Sequence, residues 1–403
     1  MRLRKNAPKH EVTVSELLDL IPTTLYDRLS AEFKPDKWVH KLHAQVMFKL
    51  IVYSILHSER LSLRVMETLY GDPAFQVLAD AVGSTAHNSI RDRLRTVSVD
   101  YFAALYEHVY AQAAAQYSPQ VLETTYQVRR VDSTMVGTFS HLLAGIRVGK
   151  STGRKVQAKY TVEYGSTGLM RASMHTEQAY LSEERALGEA VQNVLLGPKD
   201  VLVFDRGLQK RATFAALTEA GKPFITRLNA TARYDVVEQM PPPADPITPS
   251  GLCLNSEAQV YLYANAKTKP HSTPYRLIQA TGLDGQPLMF VTNLSAQEAS
   301  AHTVTELYRQ RWDIEVLFRF LKQEMNLKHF VCHDPNACAV MLYCLMITST
   351  LVLLYKKHNE ITSYKHAKIL FVKELTNSII YDMLQSPEGI DTMKRLFKPP
   401  KRE

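Results

Sequence analysis

The chain has 403 residues, 45% of them hydrophobic and 22% charged, a balance that excludes a disordered or low-complexity protein and supplies apolar material for two to three domain cores at roughly 150 residues each. Lysine and arginine outnumber aspartate and glutamate 48 to 40, a formal charge of +8, so a polyanion, nucleic acid first, is the expected partner. The four cysteines, Cys253, Cys332, Cys338 and Cys344, are too few and too clustered to staple a chain this long, and they fit a reducing compartment.

The N-terminus carries basic residues with no apolar run behind them, so no secretory signal is expected and the cytoplasm is the expected location. From residue 14 to 117, apolar side chains recur at helical spacing, as in Val46, Leu50, Ile51, Ile55 and Leu56. They predict an all-helical region over 1–120. Within it, Gly83-Ser84-Thr85 precedes a capped helix over 88–95 that carries Arg91, Arg93 and Arg95. Such a helix is either a DNA recognition helix or the solvated basic face of a bundle helix, and both readings stay open.

After Tyr117 the pattern changes to strand composition: Tyr126 to Val131, Val156 to Tyr164 and Leu169 to Met174. A helix over about 182–196 leads through Gly197-Pro198 into Val201 to Phe204, a continuous apolar run of the kind a buried parallel strand shows. Another helix and a strand over Pro223 to Arg227 follow. This order, three strands, helix, strand, helix, strand, is the layout of a ribonuclease H-like domain. Residues 229–295 then open with Pro241, Pro242, Pro243, Pro246 and Pro249 and show no long helical pattern. Strand-like runs at Gln259 to Tyr263, Tyr275 to Ala280 and Pro287 to Leu294, the last two joined across Asp284-Gly285, predict an inserted β subdomain.

Helical periodicity resumes near Ala296 and continues to a basic tail over 394–402. Ala337 to Tyr355 carries no charge and has the ~20-residue length of a membrane span. Thr348, Ser349 and Thr350 inside it, and the lack of a second such run, favour a buried core helix and no membrane partner. Cys332, His333 and Cys338 match no zinc-site spacing and read as core residues.

Two aspartates stand where strands are expected to end. Asp132 follows Arg129-Arg130-Val131, and Asp205 follows the buried run and precedes Arg206-Gly207. Singly, each is an ordinary turn or cap residue; if the two strands are neighbours, the carboxylates converge. Tyr308, Arg311, Glu315 and Lys322 form a third group: at ~100° per residue one helix would hold all four within a narrow face, bordering the apolar stripe of Leu307, Ile314, Phe318 and Leu321. A helix standing alone would make this a solvated face with an Arg311–Glu315 pair. Brought together, Asp132, Asp205 and Glu315 offer an oxygen-rich site suited to Mg²⁺ or Mn²⁺. Two such ions ~4 Å apart can serve an in-line phosphoryl displacement, with Arg311 and Lys322 as nearby cations.

Asp132-Ser133-Thr134, Asp205-Arg206-Gly207 and Tyr308-x2-Arg311-x3-Glu315-x6-Lys322 together resemble the DDE transposases of bacterial insertion sequences, in the branch with the Tyr-Arg-Glu-Lys signature, the insertion-sequence-four family. The likeness spans about Val121 to Lys328. It implies an α/β fold: a ribonuclease H-like mixed-sheet catalytic core over 121–228 and 296–335, interrupted by the β-strand insertion over 229–295 and flanked by a helical DNA-binding region over 1–120 and a helical region over 336–403 that could dimerise. It implies cleavage of transposon ends and transfer of the 3′-OH strand to target DNA. Asp132, Asp205 and Glu315 would be catalytic metal ligands for two Mg²⁺ or Mn²⁺ ions. Tyr308, Arg311 and Lys322 would contact the transposon end, and Arg206 and Arg227 would touch phosphate. Trp312 would either stack on a base or pack beneath the insertion.

The implied partners are double-stranded DNA with terminal inverted repeats, target DNA, and a second copy of the chain in a DNA-bound homodimer, in a bacterial cytoplasm close to the nucleoid. Two departures stand out: Leu208 replaces the aromatic residue common after Asp-Arg-Gly, and the insertion lacks a tryptophan, which leaves the strand-cleavage route open. Between Asp132 and Glu163, Arg147, Lys150, Arg154, Lys155 and Lys159 lie among Gly145, Gly149 and Gly153 with no acidic residue. The stretch suits phosphate contact as well as it suits a solvated basic hairpin, and its spacing is not that of a P-loop. A transposon-end binding protein without catalysis and a metal-dependent nuclease without strand transfer are the alternative functions.

Overall fold

The structure is a computed structural model and describes residues 11–117, 126–137, 145–148, 155–166, 168–241, 245–264, 270–329, 331 and 334–385. In chain order the elements are α1 (Val14–Leu18), α2 (Thr23–Phe33), α3 (Ala44–His57), α4 (Leu63–Tyr70), α5 (Pro73–Ala79), α6 (His87–Thr96) and α7 (Val99–Tyr117). Next come β1 (Gln127–Gly137), β2 (Ile146–Val148), β3 (Lys155–Tyr164), β4 (Leu169–His175), α8 (Glu183–Asn193), β5 (Asp200–Phe204), α9 (Arg211–Glu219) and β6 (Phe224–Arg227). Then follow β7 (Tyr234–Gln239), β8 (Cys253–Tyr263), β9 (Pro270–Thr281), β10 (Pro287–Thr292), α10 (Ala301–Arg309), α11 (Trp312–Gln323), α12 (Pro335–His358) and α13 (Tyr364–Gln385). The chain forms two compact units, one of residues 119–318 and one of residues 1–118 with 319–403.

The helical N- and C-terminal regions, expected as separate flanks, are therefore one body. Long-range hydrogen bonds join them: Asn326 Nδ2 donates to the Ser58 carbonyl at 2.9 Å, Asn336 Nδ2 to the carbonyls of Leu94 and Val97, and Asn359 Nδ2 to the Val12 carbonyl. At its centre runs α12, opened by the Asp334 cap and Pro335, where the missing N–H costs nothing. This is the uncharged stretch of membrane-span length, and 89% of its most apolar window is buried inside the protein. Two of its hydroxyls are paired within the helix, Thr348 on the Cys344 carbonyl and Ser349 on the Leu345 carbonyl, while the buried Thr350 Oγ1 has no hydrogen-bond partner among the described residues. In α6 the expected basic face is split: Arg95 is exposed, whereas Arg93 is buried and spends its guanidinium on the backbone of residues 35 and 42 and on Asp36.

The other unit is built on one ten-stranded sheet, ordered β2-β3-β1-β5-β6-β10-β9-β8-β7 with β4 also on β3. β1 pairs antiparallel with β3, and β3 with β4; β1 and β5, and β5 and β6, run parallel. All five residues of β5 are buried because both faces of the sheet are covered. Leu202 and Phe204 pack with Leu187 and Val191 of α8 and Phe214 of α9, while Val201 and Val203 pack on the opposite face with Val304 and Leu307 of α10. An unbroken apolar run is what such a strand requires.

The sheet alters three expectations. The strands over 229–295 do not form a sheet of their own: β10 lies antiparallel beside β6, with Val291 opposite Thr226, and the same sheet continues outward. The β9–β10 hairpin turns at Asp284-Gly285 as expected, with Gly285 at φ +76, a backbone state glycine adopts without strain. β1 runs on to Gly137, so Asp132 sits within a strand and not at its end. Tyr308 and Glu315 are on two helices, since α10 stops at Arg309 and α11 starts at Trp312. Of the basic stretch after β1, Lys150 and Arg154 lie outside the described residues, as do Cys332, His333 and the 394–402 tail.

Candidate active site

Parallel pairing of β1 with β5 sets Val131 opposite Phe204, so the next residues on the two strands, Asp132 and Asp205, emerge side by side at one edge. Each is held by its own backbone: Ser133 N–H donates to Asp132 Oδ1 at 2.7 Å, and Gly207 N–H to Asp205 Oδ2 at 3.2 Å. The converging pair is present, each carboxylate with a local backbone hydrogen bond, and only Asp205 follows its strand. Burial pushes the Asp132 carboxyl up to about 7, and the nearby charges of Asp205 and Glu183 push the same way, while the Ser133 N–H and Arg311 oppose them. An aspartate so destabilised as an anion stands where added positive charge is most favourable.

Glu315 reaches this edge through an interruption in the helix. At Gln310 and Arg311 the N–H groups bond to the carbonyls of Leu307 and Tyr308, three residues back, and those of Asp313 and Ile314 repeat the pattern, the tighter winding of a 3₁₀ turn. Arg130 of β1 locks this break. Buried at 6% exposure, it donates Nε to the Gln310 carbonyl at 2.6 Å and Nη2 to Gln310 Oε1 and Asp313 Oδ2, both at 2.9 Å. Arg311 thereby faces the aspartates: Nη2 bonds to Glu315 Oε1 at 2.7 Å, Nε lies 3.9 Å from Asp205 Oδ1, and the guanidinium sits 5.8 Å from the Tyr308 ring centroid. Asp205 and Glu315 are bridged by one guanidinium, with Asp132 beside Asp205.

The all-carboxylate oxygen set suits a hard divalent cation in its chemistry. Its spacing is that of an arginine-bridged site: among the described residues no group of three or more His, Cys, Asp or Glu side chains is disposed around a common ion position. Asp132, Asp205 and Glu315 are the residues that would hold such a cation, and Arg311 is the cation that pairs Glu315 and Asp205 in the structure.

The remaining expected site residues divide by burial. Arg206 and Trp312 are exposed, the indole at 54%. Arg227 ends β6, its carbonyl accepting from Gln209 Nε2 at 3.0 Å, and its buried Nε has no hydrogen-bond partner among the described residues. Tyr308 is buried at 7%, edge-on to Phe290 at 5.3 Å, with its hydroxyl pushed up to about 12 by burial; it packs beneath Arg311 and has no open face. Lys159, expected as a phosphate contact, is 1% exposed and donates to Glu183 Oε2 at 2.8 Å and the Leu181 carbonyl at 3.1 Å. A lysine so enclosed has no surface to offer a phosphate. Lys322 lies in the last turn of α11, outside the unit that holds the three carboxylates.

Two residues at the site were not anticipated. Glu183, at the start of α8, accepts from the Ser133 hydroxyl and from Lys159, and its Cγ would be 2.9 Å from a Cβ at Gly207. It links β1, β3 and the loop after β5. Following Ser182, it reads in sequence as an acidic first-turn residue of a capped helix, so nothing local marks it. Arg130 was visible only as half of a double arginine two residues before Asp132.

Comparison with known proteins decides the family. The description "Transposase DDE domain" belongs to the family whose profile matches residues 123–351, more than half of the chain. The chain belongs to this family. It is 24% identical over 307 residues to "Probable transposase for insertion sequence element IS5377" of Geobacillus stearothermophilus, an overlap of 76% of this chain and 74% of the relative. It is 29% identical over 160 residues to "Putative transposase y4zB" of Sinorhizobium fredii, covering 40% of this chain and 44% of that protein. A shorter match of 69 residues, 30% identical, joins 16% of the chain to 20% of "Putative transposase for insertion sequence element IS4SA" of a Synechocystis species. The chain thus spans under half of one of these transposase relatives and about three quarters of another.

Proposed function

We propose that this DDE-family chain is the transposase of a bacterial insertion sequence, of the Tyr-Arg-Glu-Lys branch, which cleaves DNA at the element's ends and transfers the freed 3′-OH strand to target DNA. The observation that carries the reading is the convergence at one sheet edge: Asp132 and Asp205 on neighbouring parallel strands, and Glu315 tied to Asp205 through Arg311. The order β4-β3-β1-β5-β6, with only β1–β5 and β5–β6 parallel among these pairs, supports a ribonuclease H-like core, in which 229–295 is an insertion that lengthens the sheet.

In this reading Asp132, Asp205 and Glu315 hold Mg²⁺ or Mn²⁺, two ions being expected. Bound there, the metal supplies positive charge to the attacking and leaving oxygens of phosphoryl displacement. The chain's own residues do the rest. Arg311, backed by the Tyr308 ring, turns its guanidinium from Glu315 to the DNA phosphate, a bidentate match that lysine could not make. Arg130 holds the break that aims Arg311 and Glu315, and Glu183 with Lys159 holds Ser133 next to Asp132. Arg206 and Trp312, both exposed, and Arg227 meet the DNA strand, and Lys322 is a further DNA contact. Joining two ends calls for a homodimer on DNA carrying terminal inverted repeats. Ile369, Tyr381 and Leu384, exposed on α13, offer apolar surface for it. The working place is the bacterial cytoplasm, at the nucleoid.

The test compares wild type with Glu315→Gln on supercoiled DNA bearing the element's ends, with Mg²⁺ or Mn²⁺ and with a chelator. Metal-dependent nicking and joining by the wild type, lost in the variant while end binding persists, is the expected outcome. Undiminished cutting by Glu315→Gln overturns the site assignment. A wild type that binds ends and never cuts overturns the enzyme, and nicking without joining leaves a nuclease.

A further inference from the structure

The segment between α2 and α3 exposes side chains that packing alone would not leave in water. Pro35 and Leu42 are buried, while Lys37, Trp38, His40 and Lys41 between them are exposed. Trp38 is 86% exposed and has φ +65, left-handed backbone that a bulky residue enters only when its surroundings impose it. Arg93 of α6 supplies that constraint. From a buried position it donates Nε to the Leu42 carbonyl at 2.8 Å, and Nη2 to the Pro35 carbonyl at 3.0 Å and Asp36 Oδ1 at 2.6 Å. Asp36 Oδ1 also accepts from Ala44 N–H at 2.7 Å, at the start of α3, and the Asp36 carbonyl accepts from Val39 N–H at 3.0 Å. The loop is pinned at both ends and across its middle, so the indole is held out by a rigid frame.

The loop's own charge has one sign. The Lys37 ammonium lies 6.0 Å from the Trp38 ring centroid, Lys34 is exposed in the same loop, Lys41 bonds the Ser84 carbonyl, and the one acid in 34–43, Asp36, is already paired with Arg93. On α6, by contrast, Arg91 pairs with Asp92 at 3.0 Å and Arg95 lies 3.7 Å from Asp334. The excess positive charge sits on the loop more than on the arginine helix. One exposed aromatic ring among cations on a stiff backbone suits a polyanion that carries its own flat apolar edges.

We infer that residues 34–43 form a contact with duplex DNA, in which the Trp38 indole lies against a sugar or base edge and Lys34 and Lys37 meet the flanking phosphates. This rests on the transposase reading for the source of the DNA, the element's own ends. The basic helix over 87–96 then serves as the support of the contact, through Arg93, more than as its reading head.

The chain has two tryptophans, so the difference between the emission of the full-length wild type and that of full-length Trp38→Phe reports the Trp38 emission. Titration with an end duplex and with an unrelated duplex of equal length, in chelator to prevent cutting, is expected to quench and shift that emission. Binding of labelled duplex, followed by anisotropy, is expected to weaken about tenfold in Trp38→Ala and to recover largely in Trp38→Phe. Lys37→Ala is expected to lower the slope of log affinity against log salt by about 1. With so exposed a side chain, the circular dichroism of these variants should match the wild type. DNA binding with unchanged Trp38 emission, or with wild-type affinity in Trp38→Ala, overturns this inference and leaves the transposase reading standing. Emission that follows protein concentration and ignores DNA assigns the loop to contact between copies and also overturns it. A wild type that binds neither duplex at low salt overturns the transposase reading itself.

Discussion

Asp132→Asn is expected to make the metal-free protein more stable while abolishing its chemistry. The Asp132 carboxyl is pushed from an ordinary 3.8 to about 7, by burial first and then by Asp205 and Glu183. A folded pKa above the unfolded one means that the native state holds the proton more tightly. The associated stability is complete below about pH 4 and is lost as pH rises through 7. Three units at ~1.4 kcal/mol each set the loss at pH 8 near 4 kcal/mol, and the partial exposure of the side chain brings the working figure to about 2–4 kcal/mol. Asparagine carries no charge, keeps an oxygen for the Ser133 N–H, and can turn its amide toward Asp205. For the unit of residues 119–318, at roughly 2–4 °C per kcal/mol, the variant should melt about 4–16 °C above wild type at pH 8 in chelator. The gap should shrink to a degree or two near pH 4. Added Mn²⁺ should raise the melting temperature of the wild type more than that of the variant. A variant that melts below wild type at pH 8, or one whose gap does not change with pH, would refute the reasoning.

Arg130→Lys keeps the charge and loses the fork on Gln310 and Asp313; DNA cleavage should fall by one to two orders of magnitude with end binding retained, and wild-type cleavage would show that the break needs no clamp. Glu183→Ala leaves the buried Lys159 ammonium with the Leu181 carbonyl as its hydrogen-bond partner and should cost about 3 kcal/mol in denaturant unfolding. Lys159→Met in that background should restore part of it, whereas strict additivity of the two would deny the pair. Leu345→Ala, in the buried middle of α12, should cost about 2–5 kcal/mol by chemical denaturation, the cost of a core cavity; a change below 0.5 kcal/mol would show that this helix is not a packed core element.

Glu183 adds a further carboxylate to the edge that holds Asp132, and buried cations answer it. Lys159 donates to Glu183 and to the Leu181 carbonyl, and Arg311 bonds Glu315 with Asp205 at ion-pair distance. Buried charges of this kind are held because each is paired, and removing one partner costs more than removing both.

Much of this organisation is local and was legible in the amino-acid order. Apolar runs and turn residues mark β5 and the β9–β10 hairpin, the hydroxyls inside the apolar run of α12 argue for a core helix, and two aspartates that follow apolar runs, with a spaced Tyr, Arg, Glu and Lys, point to the family. What tertiary structure alone decided depends on pairings between distant residues. Backbone hydrogen bonding, which leaves no side-chain signature, joins β10 to β6 and makes the expected separate subdomain part of one sheet. A straight helical wheel puts Tyr308 and Glu315 on one face; Arg130, 180 residues earlier, fixes a break between them, and with it which of the two is buried. A lysine in an acid-free stretch reads as a phosphate ligand until the fold encloses it, as Lys159 is enclosed, and Arg93 is buried in the same way beneath a loop 50 residues away. Charge is written in the sequence, but whether a charge faces water, DNA or another side chain is set by burial, and burial is a property of the packed chain.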